Sequence, residues 1–302
     1  MNLLGSYKNG NYTVSIFEDG TKIRENDLDF FEADFPESMD IKITNKCDMG
    51  CVFCHENSTA CGEHGKILDV PFLENLHPYT ELAIGGGNPL EHPDLKEFLI
   101  RCKELKLIPS MTVNQTHFLS SLDFIKELVD NKLIYGLGIS LVNPTDDFIE
   151  KVKLFPNAVI HIIAGVVTDH QLEKIANKNL KILLLGYKQF RKGLDLYNRY
   201  EKDINQKIGY IRRKLALLLK QFKVVSFDNL AIKQLNVHSL LTEEQWNNFY
   251  MGDDGTHTMY VDMVKEQYAV SSTSTHRRYF TDGQLIESMF SDVKQDKIID
   301  SQ

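Results

Sequence analysis

From residue 39 onward the chain alternates short apolar runs with longer amphipathic stretches. The short runs have the length and composition of strands, at residues 39–44, 81–84, 110–114, 135–140, 159–163 and 181–185. The longer stretches repeat apolar residues at helical spacing, at residues 94–105, 121–132, 145–154 and 169–177, with Thr145 and Asp169 as expected N-caps. Strictly alternating strands and helices indicate βα units and a parallel sheet. The predicted fold class is therefore α/β, a partial (β/α)6 TIM-like barrel, since six units are too few to close an eight-stranded barrel.

The segments on either side of this repeat have different patterns. Residues 1–37 combine short alternating runs with an acidic stretch that includes Asp27, Asp29 and Glu32, and they predict an N-terminal arm or hairpin. Residues 38–190 form the predicted core barrel, and residues 191–302 a C-terminal α+β cap for substrate. The predicted cap contains a long helix at 195–221 interrupted around Gly209, a strand at 223–227, a loop at 228–231, a helix starting at Thr242, a hairpin at 259–272 and a frayed polar tail from Ser291.

Composition excludes some classes of protein. The chain has 302 residues, of which 42% are hydrophobic and 25% charged, and these are ordinary globular values. A net charge of -8 disfavours nucleic-acid binding that relies on bulk positive charge. No apolar stretch approaches the roughly 20 residues that span a bilayer, and no signal-peptide core follows Met1. A cytoplasmic location is expected.

Three of the five cysteines lie close together, directly after the first core strand. Cys47, Cys51 and Cys54 are spaced C-x3-C-x2-C. Three neighbouring thiols cannot all pair with one another, and clustered thiolates are typical ligands of iron-sulfur clusters. An iron without a protein ligand would be open to a small chelating cofactor. A structural zinc site is the alternative, with Cys61, His55 or His64 as fourth ligand.

With Phe53 directly before its third cysteine, this segment resembles the cluster motif of the radical S-adenosylmethionine (radical SAM) superfamily. A second segment, at residues 84–90 after the next strand, resembles the GGE-P segment of that family, with Asn88 in place of the usual acid. The resemblance implies that Cys47, Cys51 and Cys54 hold one oxygen-sensitive 4Fe-4S cluster. It also implies that S-adenosylmethionine chelates the fourth iron and is reductively cleaved to a 5'-deoxyadenosyl radical, which abstracts hydrogen from a peptide or small-molecule substrate. An electron donor such as flavodoxin or ferredoxin would reduce the cluster.

The resemblance also implies a set of cofactor contacts. The corresponding positions are Phe53, Gly85, Gly86, Gly87, Asn88, Asn114, Ser140, Gly165, Leu185 and Tyr187. For Asn114 and Ser140 a strand-end hydrogen bond or helix cap is an equally good explanation. No cysteine follows Cys102, which predicts a single cluster and a cap without auxiliary iron. Cys102 itself is expected in the core, whereas Cys61 is a candidate hydrogen-atom donor to a substrate radical.

Substrate contacts are the least determined part of the site. Asp228, Asn229 and Arg277 are candidates, although turn chemistry and a solvated pair of Arg277 with Arg278 explain them more simply. The reaction class (oxidoreductase, lyase or isomerase) stays open. Two other functions also stay open: an activase that places a glycyl radical on a partner enzyme, and a zinc-stabilised binding module without redox chemistry.

Overall fold

The computed structural model describes residues 2–28, 30–281 and 283–300, so Asp29 of the acidic stretch lies outside the described residues. The strands are β1 Leu3–Asn9, β2 Tyr12–Phe17, β3 Lys22–Glu25, β4 Ser38–Thr44, β5 Glu81–Gly86, β6 Ile108–Asn114, β7 Gly136–Ser140, β8 Ala158–Ile163, β9 Lys181–Leu185, β10 Val224–Phe227, β11 Thr258–Asp262, β12 Gln267–Ala269 and β13 Arg278–Tyr279. The helices are α1 Leu95–Glu104, α2 Gln115–Ser120, α3 Leu122–Asp130, α4 Asp146–Lys153, α5 Asp169–Ile175, α6 Lys192–Gln221, α7 Asn229–Leu235, α8 Glu243–Phe249 and α9 Ile286–Asp300.

The six predicted core strands, β4 to β9, are parallel neighbours in one sheet, which confirms the βα prediction. The sheet is wider than predicted, because β10 pairs with β9 at one side and β11 pairs in parallel with β4 at the other. The described sheet has the order β10-β9-β8-β7-β6-β5-β4-β11-β12-β13 and carries no ladder between β10 and β11. The result is a partial barrel whose last side, between β10 and β11, is not closed by backbone pairing.

Alternating side chains give each barrel strand an outer and an inner face. On β4 the outer residues Met39, Ile41 and Ile43 are at most 3% exposed and belong to the core cluster. Helix α1 covers the sheet with Leu95, Phe98, Leu99 and Cys102, at the i, i+3, i+4, i+7 spacing of one helix face. Cys102 is therefore a core residue, as predicted, and burial raises its pKa to about 12.

Several predictions about individual elements are wrong. Helix α6 leaves helical geometry at Tyr200 (φ -132°, ψ 31°) and not at Gly209, because a single glycine costs a helix only about 1 kcal/mol. Residues 228–231 are not a loop, since the Asp228 side chain accepts a hydrogen bond from Ala231 N and caps α7. The N-cap of α5 is Thr168, which forms a capping box with Gln171, and Asp169 follows it.

The C-terminal tail also differs from the prediction. It forms α9. The buried side chains of this helix, Ile286, Met289, Phe290 and Val293, recur at helical spacing. The first three of them precede Ser291, where the polar stretch begins. Arg278 anchors it through two hydrogen bonds of 2.8 Å to Asp296. The predicted hairpin at 259–272 is present as β11 and β12. Strands β10 to β13 belong to the same sheet as the barrel strands, so the sheet does not mark a boundary at residue 190. The division of the chain at that residue stays a prediction.

The N-terminal segment is a three-stranded antiparallel sheet, one strand more than a hairpin. Glu37, just before β4, ties it to the barrel through Arg24 (Nε–Oε1 2.7 Å), Lys22 (Nζ–Oε2 3.1 Å) and the Tyr12 hydroxyl (2.5 Å). Burial alone would raise the pKa of Glu37, but the Arg24 hydrogen bond and the charges of Lys22 and Arg24 lower it to about 2. None of the described helices combines the length and apolar character needed to cross a membrane.

Candidate active site

The cysteine loop begins where β4 ends and is held by its own backbone. Asn45 N donates to Glu63 O (2.8 Å) and Cys47 N donates to Thr59 O (2.8 Å), so the return segment lies beside the cysteine segment. Cys54 N closes a turn on Cys51 O at 3.2 Å. Cys47, Cys51 and Cys54 are unpaired and half-buried. The loop therefore presents three free thiols at the carboxyl end of a parallel strand, where sites collect in barrels of this kind.

The glycine segment after β5 packs directly against this loop. Gly87 N donates to Thr44 O and Asn88 N donates to Lys46 O, both at 2.7 Å. A Cβ on Gly87 would lie 2.2 Å from Lys46 O, and Gly86 (φ +108°) would place one 2.4 Å from Thr44 O. These two glycines are therefore required by close approach to the cysteine strand. Gly85 differs, because a Cβ there would meet nothing within 4 Å, which leaves open space for a ligand.

The three thiols do not form a group of sulfur atoms that all lie within 4.8 Å of one another, as the ligands of a single ion would. Within the described parts of the chain, the ligand atoms that all lie within 4.8 Å of one another are those of Cys47, Asp48 and His117, where His117 Nε2 is 2.7 Å from Asp48 Oδ1. This group includes none of the proposed fourth zinc ligands. A cubane cluster binds each thiolate at a different iron, so its ligands stand farther apart than those of one zinc. Burial raises the pKa of Cys47 and of Cys51, and a bound metal, which takes the thiolate form, would lower both.

Neighbouring strands bring two further predicted residues together. Asn114 and Ser140 are direct partners in the β6–β7 ladder, at the same end of the barrel as the cysteine loop. The Asn114 side chain accepts from Thr116 N at 2.9 Å and caps α2, so the predicted alternative of a helix cap is realised. Asn88 likewise accepts from Leu90 N at 3.3 Å and caps a short 3₁₀ turn.

The remaining predicted cofactor residues have clear packing roles. A Cβ on Gly165 would lie 2.8 Å from the ring of Tyr187, which is 1% exposed and donates its hydroxyl to Gly193 O at 2.8 Å. The backbone N–H and C=O of Tyr187 are both hydrogen-bonded to the Gln234 side chain, at 2.8 and 3.0 Å. Phe53 is half-buried and packs against the core. Gly165 and Tyr187 are thus buried, and the backbone polar groups of Tyr187 are already paired, so of these three residues Phe53 alone offers surface to a cofactor.

A buried ion cluster supports the cysteine loop from below, and sequence reasoning missed it. Lys42 Nζ lies 3.1 Å from Glu56 Oε2 and 3.1 Å from Asp262 Oδ2. Glu56, two positions after Cys54, also accepts from the Tyr260 hydroxyl at 3.2 Å. The three charged side chains are 1%, 7% and 0% exposed, respectively. The one available signal was a lysine at an inward position of the strand that leads into the cysteine loop.

Arg277 belongs to the same cluster, so the expectation of a solvated basic pair is wrong for it. Its side chain is 10% exposed, lies over the Tyr260 ring at 5.0 Å and approaches Asp262 at 3.8 Å. Its Nη2 donates to Ser272 O at 2.6 Å. Arg278, in contrast, points to α9. Arg277 is buried because the segment after β12 brings it against Tyr260 and Asp262 of β11.

A cavity of about 610 Å³ occupies the barrel interior. Asp228, Asn229 and Leu185 line it, so three predicted site residues do meet here. Asn229 donates to Asp254 Oδ1 at 2.7 Å and thereby bridges the side of the barrel left open between β10 and β11. Cys61 is exposed in the cysteine loop and is not among the residues that line the cavity, so its role as a hydrogen-atom donor stays a prediction.

Solved structures with a similar fold include two of SuiB from Streptococcus suis. The one bound to S-adenosylmethionine aligns with a TM-score of 0.56 over 88% of this chain and 68% of SuiB, at 16% identity. The one bound to precursor peptide SuiA aligns with a TM-score of 0.55 over 88% of this chain and 67% of SuiB, also at 16% identity. No family model and no curated protein sequence matches the chain. The likeness confirms the fold expected from the resemblance to radical SAM proteins.

Proposed function

We propose that this protein is a radical SAM enzyme that acts on a peptide or small-molecule substrate. The proposal rests mainly on one observation. The C-x3-C-x2-C loop and the glycine segment leave adjacent strands and are joined by the two 2.7 Å backbone hydrogen bonds from Gly87 and Asn88. These two elements carry the resemblance to the family, and in this fold they form one continuous cradle.

Each part of the cradle has its own task in the proposal. Cys47, Cys51 and Cys54 would hold the 4Fe-4S cluster, and the open space at Gly85 would receive S-adenosylmethionine, with Asn114 and Ser140 beside it. When bound, the cluster and its cofactor supply the one-electron cleavage that starts radical chemistry. The chain would hold both groups at the mouth of the barrel. Flavodoxin or ferredoxin is the proposed electron donor.

The substrate would reach the same mouth from the barrel interior. The cavity lies directly below the strand ends that carry the cradle, and its volume falls in the usual range for ligand sites, about 300–1,000 Å³. A peptide substrate is proposed because SuiB, which shares the fold, has been crystallised with a precursor peptide. The fate of the substrate radical depends on groups that face it, and the candidates are the side chains that line the cavity.

Anaerobic reconstitution of the full chain tests the function. We expect a brown protein with four irons, a 4Fe-4S spectrum, and release of 5'-deoxyadenosine from S-adenosylmethionine after reduction. Cys51→Ala should lose the cluster, because two thiolates do not hold a cubane securely. A colourless protein that binds a single zinc would overturn the proposal.

Cys61→Ala is the matched control, since Cys61 lies in the same loop outside the proposed ligand set. The variant should keep full iron content. Under the zinc-module alternative, in which Cys61 is a candidate fourth ligand, the same substitution would lower zinc affinity. Metal analysis of Cys51→Ala and Cys61→Ala side by side therefore separates the two functions without any activity assay.

A further inference from the structure

The barrel interior is hollow because its inward positions carry small residues. Parallel barrels are usually filled by layers of bulky branched side chains. Here the lining positions on three neighbouring strands, β5 to β7, and one on β10 are occupied by small side chains or none: Ala83, Ser110, Thr112, Gly136, Gly138 and Ser226. The cavity of about 610 Å³ is therefore built into the sequence of the strands. A space of this size in a barrel core is expected to hold a ligand.

The polar groups on this cavity are mainly acidic. Asp40 on β4, Asp228 after β10 and Asp254 before β11 all line it. Of the two lysines among the lining residues, Lys188 donates to Ser272 Oγ at 2.9 Å, and Lys233 is 72% exposed near Asp253. His161 also lines the cavity, but burial lowers its pKa to about 4, so it is neutral near pH 7. The cavity therefore has an excess of negative charge.

Asp40 is the carboxylate that is least compensated. In the described parts of the chain no hydrogen bond or ion pair reaches its carboxylate, whereas Asp228 accepts from Gly186 N (2.9 Å) and caps α7, and Asp254 accepts from Asn229. The Asp40 side chain is accessible to solvent from the cavity, although it lies inside the barrel. This enclosed position and the nearby acidic groups raise the pKa of Asp40 to about 6, with Lys188 acting in the opposite direction. An ionised carboxylate in such surroundings attracts a cation.

We infer that the barrel interior receives a substrate group bearing an ammonium or guanidinium cation, which pairs with the Asp40 carboxylate. That the bound cation belongs to a substrate rests on the proposed function, but its pairing with Asp40 depends only on the cavity. A hydrogen bond between two charged groups is stronger than one between neutral groups, so the site selects cationic side chains over apolar ones of the same shape.

Calorimetric binding to the metal-free full chain at neutral pH tests the inference. The probes are the Nα-acetyl methylamides of lysine and arginine, with the norleucine derivative as a neutral analogue of similar length. We expect at least one cationic probe to bind about 10-fold more tightly than the norleucine probe. Asp40→Asn should abolish this preference, whereas the exposed control Asp130→Asn on α3 should keep it. Lys188→Met should strengthen it, because the competing cation is removed.

Equal binding of cationic and neutral probes, an Asp40→Asn variant that keeps the preference, or no binding of any probe would each overturn the inference. The lysine and arginine arms distinguish an ammonium from a guanidinium. Because these measurements need neither iron nor S-adenosylmethionine, they succeed or fail independently of the cluster. A chain that binds cations but holds no 4Fe-4S cluster would refute the proposed function alone.

Discussion

The Glu56 carboxylate holds the cysteine loop to the barrel wall, so its neutralisation should loosen the loop. Lys42 Nζ is 3.1 Å and Arg191 Nη1 is 3.5 Å from Glu56 Oε2. Glu56→Gln keeps the shape of the side chain and removes its charge. Removing one partner of a buried pair costs about 3–5 kcal/mol, and since Lys42 retains Asp262 we expect about 2–3 kcal/mol. In a protein of this size that corresponds to a fall in Tm of about 3–5 °C.

Thermal unfolding of the metal-free chain measures this change, and iron content after reconstitution measures its effect on the loop. Glu63→Gln is the matched control, because Glu63 is an exposed acid of the same loop. It should change Tm by no more than about 1 °C. A double-mutant cycle with Lys42→Met isolates the pair, and we expect the two changes to be strongly non-additive. If Glu56→Gln unfolds at the wild-type temperature, the buried ion cluster of Lys42, Glu56 and Asp262 does not stabilise the loop.

Three further predictions concern other parts of the structure. Asp40→Asn should stabilise the protein at neutral pH by about 1 kcal/mol in chemical denaturation. The pKa of Asp40 is raised from 3.8 to about 6, so its ionisation in the folded protein costs up to about 3 kcal/mol. Solvent in the cavity reduces this cost to about 1 kcal/mol. Lower stability of this variant would contradict the argument. The pKa of Glu37, lowered from 4.5 to about 2, adds stability above pH 4.5 that is lost as the pH falls toward 2. Melting curves across this range should decline less steeply in Glu37→Gln, and an identical slope would count against the anchor. Gly87→Ala should lower Tm, because its Cβ would lie 2.2 Å from Lys46 O. Gly85→Ala should keep Tm but weaken S-adenosylmethionine binding in calorimetry, because its Cβ enters the open space. The reverse pattern would refute the assignment of this space to the cofactor.

The core strands and the cysteine loop were predictable because their signals are local. Alternation within β4 and the C-x3-C-x2-C spacing each lie within a few positions of sequence, and the helix face of α1 repeats every three or four residues. The same holds for Cys102, whose place on that face identified it as core. Long, periodic elements of this kind need no knowledge of distant partners.

The support beneath the loop was not predictable, because its partners are far apart in the chain. Lys42 and Asp262 are 220 positions apart and meet only because β11 pairs in parallel with β4. No local pattern indicates that a strand from the C-terminal third returns to the first strand of the barrel. For the same reason Arg277 was expected in solvent, since its burial depends on where that strand lies.

The inner face of β4 connects the cavity, the ion cluster and the cysteine loop. Asp40, Lys42 and Thr44 alternate with core residues, so they succeed one another along the same face from the barrel interior to its mouth. A strand rises about 3.3 Å per residue, which places Asp40 roughly 13 Å below Thr44, where the cysteine loop begins. A lysine or arginine side chain that reached Asp40 would therefore leave its own backbone higher in the barrel, and so nearer the mouth, than a shorter cation such as diaminopropionate would. The depth of Asp40 therefore favours length as well as charge.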